Sequence, residues 1–327
     1  MSKTVKIYGR TFIVSGGEGD DYYRHIPDGA DITDSVMAAI KPHIQPDAVC
    51  LDVGANIGLY SLGLSSLAPR GRIYGFEPSP SAYGHLQENL EVNRAANVDA
   101  CNLAVSDSTG TVHFHDFSFF SAGSFSSDEG SLLSSESYGS QSFEAATTTL
   151  DEFVADRKLD RVDFIKVDVE GAELSVLAGA EKTLATYRPI TVLEFNTFGF
   201  TIHQSVLPQV ALARIKELFP HVFVMDRVDG ALCRLETPHE IYEFLYDNGI
   251  HGPADNMLCS FDDLPVTRRY SHIATINAPY RGAAATAEAE AMRHTLSWRV
   301  TAPLRQARTR LDPVITKAQA VRRTLKS

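Results

Sequence analysis

The chain has 327 residues, 44% of them hydrophobic, and a formal net charge of −11. This suits one large domain with appendages, or two domains. No apolar run approaches the roughly 20 residues that cross a bilayer, and Met1-Ser2-Lys3-Thr4-Val5 lacks the apolar stretch of a signal peptide.

In chain order, residues 1–46 read as an N-terminal extension: a strand pair at 5–7 and 11–14, an acidic Gly-rich loop and a helix near 35–43. A core at 47–265 follows, with strand 48–53, helix 57–67, strand 72–76, helix 80–94 and strand 98–105. A hairpin is expected across 106–110 to 117. Residues 118–142 are rich in Ser and Gly, which is loop chemistry. The segment is either a disordered insertion or a lid whose aromatics, Phe119, Phe120, Phe125 and Tyr138, stack on a ligand. Then come strand 162–167, helix 172–186, strand 190–194, helix 207–219, strand 222–225, helix 239–246 and strand 256–261. This β/α alternation implies an α/β fold, with helices on both faces of a mostly parallel seven-stranded sheet. Ligands then lie beyond the carboxyl ends of the strands, at the switch point.

Cys50-Leu-Asp-Val-Gly-Ala-Asn-Ile-Gly58 is a buried strand running into a glycine turn and a helix. Glycines in such a turn let the backbone approach a ligand, and the helix N-terminus offers unpaired N–H groups. A dinucleotide site would read G-x-G-x-x-G. Here a carboxylate, Asp52, precedes Gly54, and the second glycine is Gly58. That carboxylate would repel a pyrophosphate. It suits S-adenosylmethionine (AdoMet), which carries a sulfonium and an ammonium and no phosphate. The next strand ends in Glu77, placed as acids are that hydrogen-bond both ribose hydroxyls.

Strand 162–167 runs into Asp168, Glu170 and Gly171, and alternation puts Lys166, Asp168 and Glu170 on one side. Strand 190–194 ends at Glu194, close to Asn196. Carboxylates at adjacent strand ends can hold an ammonium, take a proton from a hydroxyl or coordinate a hard cation.

The segments Asp52-Val-Gly-Ala-Asn-Ile-Gly-Leu-Tyr60, Phe76-Glu-Pro-Ser-Pro80, Asn102-Leu-Ala-Val-Ser-Asp107, Thr149-Leu-Asp-Glu-Phe153 and Ile165-Lys-Val-Asp-Val-Glu-Gly-Ala-Glu173 together resemble the FkbM-type methyltransferases. The resemblance implies a class I, Rossmann-like AdoMet-dependent fold with an extra antiparallel strand, and O-methylation as the usual chemistry. It also implies a carbohydrate acceptor: a sugar hydroxyl of a bacterial polysaccharide, glycolipid or nucleotide-linked sugar. On this family's pattern Asp52, Gly54, Ala55, Asn56 and Gly58 carry the cofactor loop. Glu77 and Pro78 face the ribose, Asn102 and Ala104 lie near the adenine, and Asp168 and Glu170 face the methionine end and acceptor. Alternative readings are a lipid or secondary-metabolite methyltransferase, or a non-catalytic scaffold in a glycan-assembly complex.

A sugar hydroxyl is a weak nucleophile, so its in-line attack on the sulfonium methyl needs alignment and proton removal. Candidate bases are Asp168, Glu170, Glu194 and His203, with His25 in the loop before the core; His113 and His115, on a hairpin strand, read as structural. Alternatively Mg²⁺ held by Asp168, Glu194 and Asn196 acidifies a diol. No His/Cys cluster has zinc spacing. The four cysteines, Cys50, Cys101, Cys233 and Cys259, form no CxxC pair and read as reduced core thiols, which places the protein in the cytoplasm.

Residues 266–327 read as a linker and a basic helical tail. From Arg281 onward ten Arg or Lys face three acids, giving about +7 and leaving the rest of the chain near −18. An acidic body argues against nucleic acid as substrate. Val300, Leu304, Ala307, Leu311, Val314, Ala318, Val321 and Leu325 share one helical face, with a break expected at Asp312-Pro313. This basic amphipathic element suits a membrane surface or a partner protein. Ser297-Trp-Arg-Val-Thr-Ala-Pro-Leu-Arg305 resembles the C-terminal ends of some bacterial polysaccharide glycosyltransferases, which implies glycan assembly at the inner face of a membrane.

Overall fold

The computed structural model describes residues 2–17, 21–116, 125–126, 141–202, 204–226, 230–251, 254–266 and 268–270. The chain divides into two units, Met1–Ala278 and Pro279–Ser327. The expected tail helices, and all of 118–140 except 125–126, lie outside the described residues.

Strands β1 (Lys3–Ile7) and β2 (Arg10–Val14) form an antiparallel hairpin. Its turn residues Tyr8 and Gly9 both have positive φ (50° and 75°), the backbone that matches the twist of a two-residue hairpin. Alternation buries Val5, Ile7, Phe12 and Val14. Helix α1 (Asp21–His25) and strand β3 (Ala30–Asp31), parallel to β1, follow. Helix α2 (Ser35–Ile40) starts where the Asp34 carboxylate accepts the Met37 N–H at 2.7 Å, an N-cap. It ends in a 3-10 turn at Lys41–His43.

Next come β4 (Val49–Val53), α3 (Leu59–Leu67), β5 (Arg72–Phe76), α4 (Pro80–Val92) and β6 (Val98–Cys101). The strand expected over 98–105 is two elements. After Cys101 the chain leaves the main sheet, and β7 (Ala104–Val105) joins a second one. There β8 (Gly110–Asp116) lies antiparallel to both β9 (Phe125–Ser126) and β10 (Gln141–Thr148), in the order β7-β10-β8-β9. The expected hairpin strand is present, but its long partner is β10.

Helix α5 (Leu150–Asp156), capped by Thr149, leads to β11 (Phe164–Val167). The helix expected over 172–186 is two, α6 (Glu173–Ala178) and α7 (Glu181–Tyr187). At the break a Cβ on Gly179 would fall 2.0 Å from the Ser106 carbonyl oxygen, so that backbone occupies the space beside the helix. Then follow β12 (Ile190–Asn196), α8 (Thr197–Ile202), α9 (Pro208–Leu218), β13 (His221–Met225), β14 (Leu232–Arg234), α10 (Pro238–His251) and β15 (Ala254–Ser260).

The main sheet has eight strands, in the order β14-β13-β15-β12-β11-β4-β5-β6, with β15 antiparallel to both neighbours. The strand beyond the expected seven is β14, a three-residue edge strand paired with β13. From β4 the chain steps outward to β5 and β6, then returns to β11 on the other side of β4. That reversal is the switch point, and its crevice lies over the carboxyl ends of β4 and β11.

Alternation along the strands makes two core layers. Cys50, Ile73, Phe164, Val192 and Leu258 pack with the N-terminal hairpin and helices α2–α4. Leu51, Val53, Phe76, Ile165, Leu193 and Phe195 pack with α5–α7, α9 and α10 on the other face. The first 46 residues therefore share a core with the sheet. All four cysteines are buried and free. Among the described residues no helix is long and apolar enough to cross a membrane.

Candidate active site

At the switch point, Gly54 N and Ala55 N both donate to Phe76 O (3.0 and 2.9 Å), tying the glycine turn to the end of β5. Gly54 has φ +80°, and a Cβ there would lie 1.8 Å from the Asp168 carbonyl oxygen, so only glycine lets the ends of β4 and β11 meet. Asn56 is left-handed (φ 51°), and its N–H donates to Glu77 Oε2 at 2.8 Å. Ser79 N donates to Glu77 Oε1, also at 2.8 Å. Two backbone donors thus fix the Glu77 carboxylate at the wall of a cavity of about 340 Å³.

Gly54, Ala55, Asn56, Glu77, Pro78, Ala104, Asp168, Glu170 and Glu194 line this cavity. Besides His25, four residues expected in the site do not. Gly58, at φ +91°, starts α3 against Leu86, which a Cβ would meet at 2.5 Å. Asn102 turns its amide to the backbone carbonyls of Glu77 and Pro78 (2.8 and 3.1 Å) and so pins the β5 loop from behind. Asn196 Oδ1 accepts the Gly199 N–H (2.9 Å), which uses the oxygen expected to hold Mg²⁺, and its amide Nδ2 donates to Glu194 Oε2 (3.5 Å). Asp52 is fully buried: Oδ2 accepts the Ser61 hydroxyl at 2.6 Å, and Oδ1 lies 3.7 Å from Lys166 Nζ. Sheet register sets Asp52 opposite Lys166, so Asp52 is the counter-charge of a buried lysine beneath the cavity.

Lys166 Nζ also lies 3.1 Å from Asp168 Oδ2 and 4.6 Å from the centre of the Tyr60 ring. Burial pulls its pKa down, but Asp168 and Asp52 more than offset this, and the net direction is up. It is a fixed cation. Beyond Asp168 the chain turns through Glu170 (φ 53°) and Gly171 (φ 104°). A Cβ on Gly171 would meet Gly199 Cα at 2.7 Å, so two glycines back to back bring this loop against α8.

That packing brings Glu170 toward Glu194 on the neighbouring strand. Carboxylate oxygens of Asp168, Glu170 and Glu194 all lie within 4.8 Å of one another. Burial first, then Asp168 and Glu173, push the Glu170 pKa well above the usual carboxylate range. Burial first, then Glu170 and Asp168, do the same to Glu194. Both acids are therefore held toward their protonated forms, and each is a proton acceptor once ionised. Glu173 is fully buried: its Oε1 accepts Val169 N and Gly171 N (3.2 and 3.1 Å), which braces the Glu170 loop, and burial raises its pKa to about 7.

His203 lies outside the described residues; its neighbour Gln204 lines the cavity. His25, exposed at the end of α1, does not. His113 faces Glu144 at 3.6 Å on the exposed side of the second sheet, while Val112 and Phe114 turn to the cavity. The His115 side chain is outside the description. Asp34, Val112, Phe114 and Thr147 are cavity residues that no motif flagged, because they arrive from the N-terminal module and the second sheet; Tyr60, at the end of the first motif, lines the cavity too.

The model of the FkbM methyltransferase domain matches residues 52–249. The chain belongs to the FkbM methyltransferase family. This FkbM-family chain is 34% identical over 155 residues to Methyltransferase sdnD of Sordaria araneosa, covering 40% of this chain and 60% of that protein. It is 30% identical over 156 residues to 2-O-methyltransferase NoeI of Sinorhizobium fredii, covering 44% and 62%. It is 28% identical over 158 residues to Hexuronic acid methyltransferase AglP of Haloferax volcanii, covering 48% and 60%. The chain thus spans about three-fifths of the length of these relatives. Its fold is the mostly parallel α/β architecture of class I methyltransferases.

Proposed function

We propose that the protein transfers a methyl group from AdoMet to a hydroxyl of a carbohydrate acceptor. The carrying observation is the Asp168, Glu170 and Glu194 cluster over the switch point, beside the glycine turn and Glu77. The cavity fits AdoMet: five carboxylates, Asp34, Glu77, Asp168, Glu170 and Glu194, line it against one lysine. That balance favours a cofactor with sulfonium and ammonium charges and disfavours a pyrophosphate. Glu77 would hold the ribose hydroxyls, with Ala104 and Leu103 against the adenine.

When bound, AdoMet supplies a methyl carbon activated by its sulfonium. Glu170 and Glu194 would take up the acceptor hydroxyl's proton as its oxygen displaces the sulfur from the methyl carbon, the C–S electron pair staying with the sulfur. Lys166 holds the Asp168 carboxylate in place at 3.1 Å. A divalent cation among the same three oxygens would sit beside the Lys166 ammonium, so the proton-transfer route is preferred over Mg²⁺. The carbohydrate class is supported by the relatives' names, a hexuronic acid methyltransferase and a 2-O-methyltransferase. The basic tail would bring the enzyme to an anionic membrane face or a glycan-assembly partner in the cytoplasm.

The test is incubation with methyl-labelled AdoMet and a panel of glycans, with and without EDTA. Label on a glycan that persists with chelator supports the carboxylate route. Activity abolished by EDTA and restored by Mg²⁺ overturns that route in favour of a metal.

A further inference from the structure

Asp34 stands outside the family-matched residues 52–249, in the N-terminal module, yet it lines the cavity. We propose that this module completes the cofactor site, with Asp34, Tyr60 and Lys166 holding the charged amino-acid end of AdoMet. The proposal rests on the AdoMet reading above and adds to it which part of the chain reads the amino-acid end.

That end is a zwitterion, so its site needs one group of each sign within a few ångströms. Lys166 is the one Lys, Arg or His that lines the cavity among the described residues. Its ammonium lies 4.6 Å from the centre of the Tyr60 ring, and the Tyr60 hydroxyl donates to Asp34 Oδ2 at 2.7 Å. Tyr60 thus bridges the cation to the carboxylate. It sits in the first turn of α3, a nine-residue helix whose N-terminus adds positive potential for the cofactor's carboxylate. The ammonium then falls to Asp34.

Asp34 is held for this role. Its Oδ1 is fixed by the Met37 N–H at 2.7 Å as the cap of α2, which directs Oδ2 to Tyr60. The module itself is docked on α3: a Cβ on Gly63 would meet Ile7 and Tyr8 side chains at 3.2 and 3.3 Å, so a small residue there lets the hairpin sit close. The Tyr8 hydroxyl in turn donates to the Met37 carbonyl at 2.7 Å, joining hairpin to α2.

Two ligands separate recognition from scaffolding: S-adenosylhomocysteine, which has the amino-acid end, and methylthioadenosine, which lacks it. Asp34→Asn keeps the helix cap, since Asn caps as well as Asp, and removes only the charge. Tyr60→Phe keeps the ring under Lys166 and removes only the hydroxyl. By calorimetry on the full chain, Asp34→Asn should weaken S-adenosylhomocysteine about tenfold or more, as expected for a lost charge-assisted contact, and leave methylthioadenosine unchanged. Tyr60→Phe should move in the same direction and decides the matter if the Asn variant does not fold. Equal weakening of both ligands would mean a structural role, and unchanged S-adenosylhomocysteine affinity no role; either result overturns the proposal. Failure of the unmutated protein to bind either ligand would instead remove the AdoMet reading beneath it.

Discussion

Gly54 combines a left-handed backbone with a backbone oxygen 1.8 Å from where a Cβ would stand. Neither can relax alone, because the Asp168 carbonyl belongs to the end of the neighbouring strand. Gly54→Ala should destabilise the fold by about 3 kcal/mol, read by denaturant unfolding. Glu77 has a double task, holding two loop N–H groups and facing the cavity. Glu77→Ala should weaken AdoMet by ~1–3 kcal/mol and also lower the melting temperature; unchanged affinity in a folded variant would contradict the ribose assignment. Glu173 gives a stability signature. Its folded pKa is raised to about 7, above the ordinary 4.5, so the folded state holds the proton more tightly than the unfolded one. Its contribution is fully present below the unfolded value and is lost as pH rises through that window. Glu173→Gln should flatten the fall in stability across that range. At this scale the sequence marked Gly54 and Glu77 through their spacing, but it assigned Asp52 to the cofactor. Only the register of β4 against β11, which sets Asp52 opposite Lys166, reveals a buried ion pair, and register is not written in either strand alone.

The pairing of strand ends decides the chemistry. Glu170 leaves β11 and Glu194 lies on β12; burial raises the pKa of both, and Glu170 raises that of Glu194 further. The rate of methyl transfer should therefore rise with pH through a midpoint well above the ordinary carboxylate range. Glu194→Gln removes the like charge beside Glu170, so its midpoint should move to lower pH while turnover falls. A pH–rate profile checks both, and an unmoved midpoint would separate the two acids. Long periodic elements such as α4 and α9 were legible to within a few residues, because their apolar spacing is set locally. Elements decided by neighbours were not. The Gly179 break depends on the Ser106 carbonyl, β14 is only three residues of edge strand, and β10 follows a Ser-rich stretch that hides its alternation.

Across the whole molecule, the β/α alternation was enough to imply the parallel sheet and its switch point, since a right-handed crossover leaves few topologies. The N-terminal module was legible as strands and a helix, but not as a wall of the cavity, because Asp34 reaches it only through tertiary packing. The basic tail makes a separate prediction. A chain ending at Ala278 should stay folded and bind AdoMet, yet lose sedimentation with anionic liposomes or a glycosyltransferase partner. Unfolding on truncation, or full-length protein that binds neither, would make the tail structural.

The most direct measurement follows methyl label from AdoMet into a glycan with the unmutated protein and with the Glu170→Gln, Glu194→Gln double variant, alongside AdoMet binding. The unmutated protein should leave an alkali-stable ether label, and the double variant should keep AdoMet binding with turnover reduced by ~10²-fold or more. Undiminished transfer by the double variant, or no AdoMet binding by the unmutated protein, would overturn the assignment of this site.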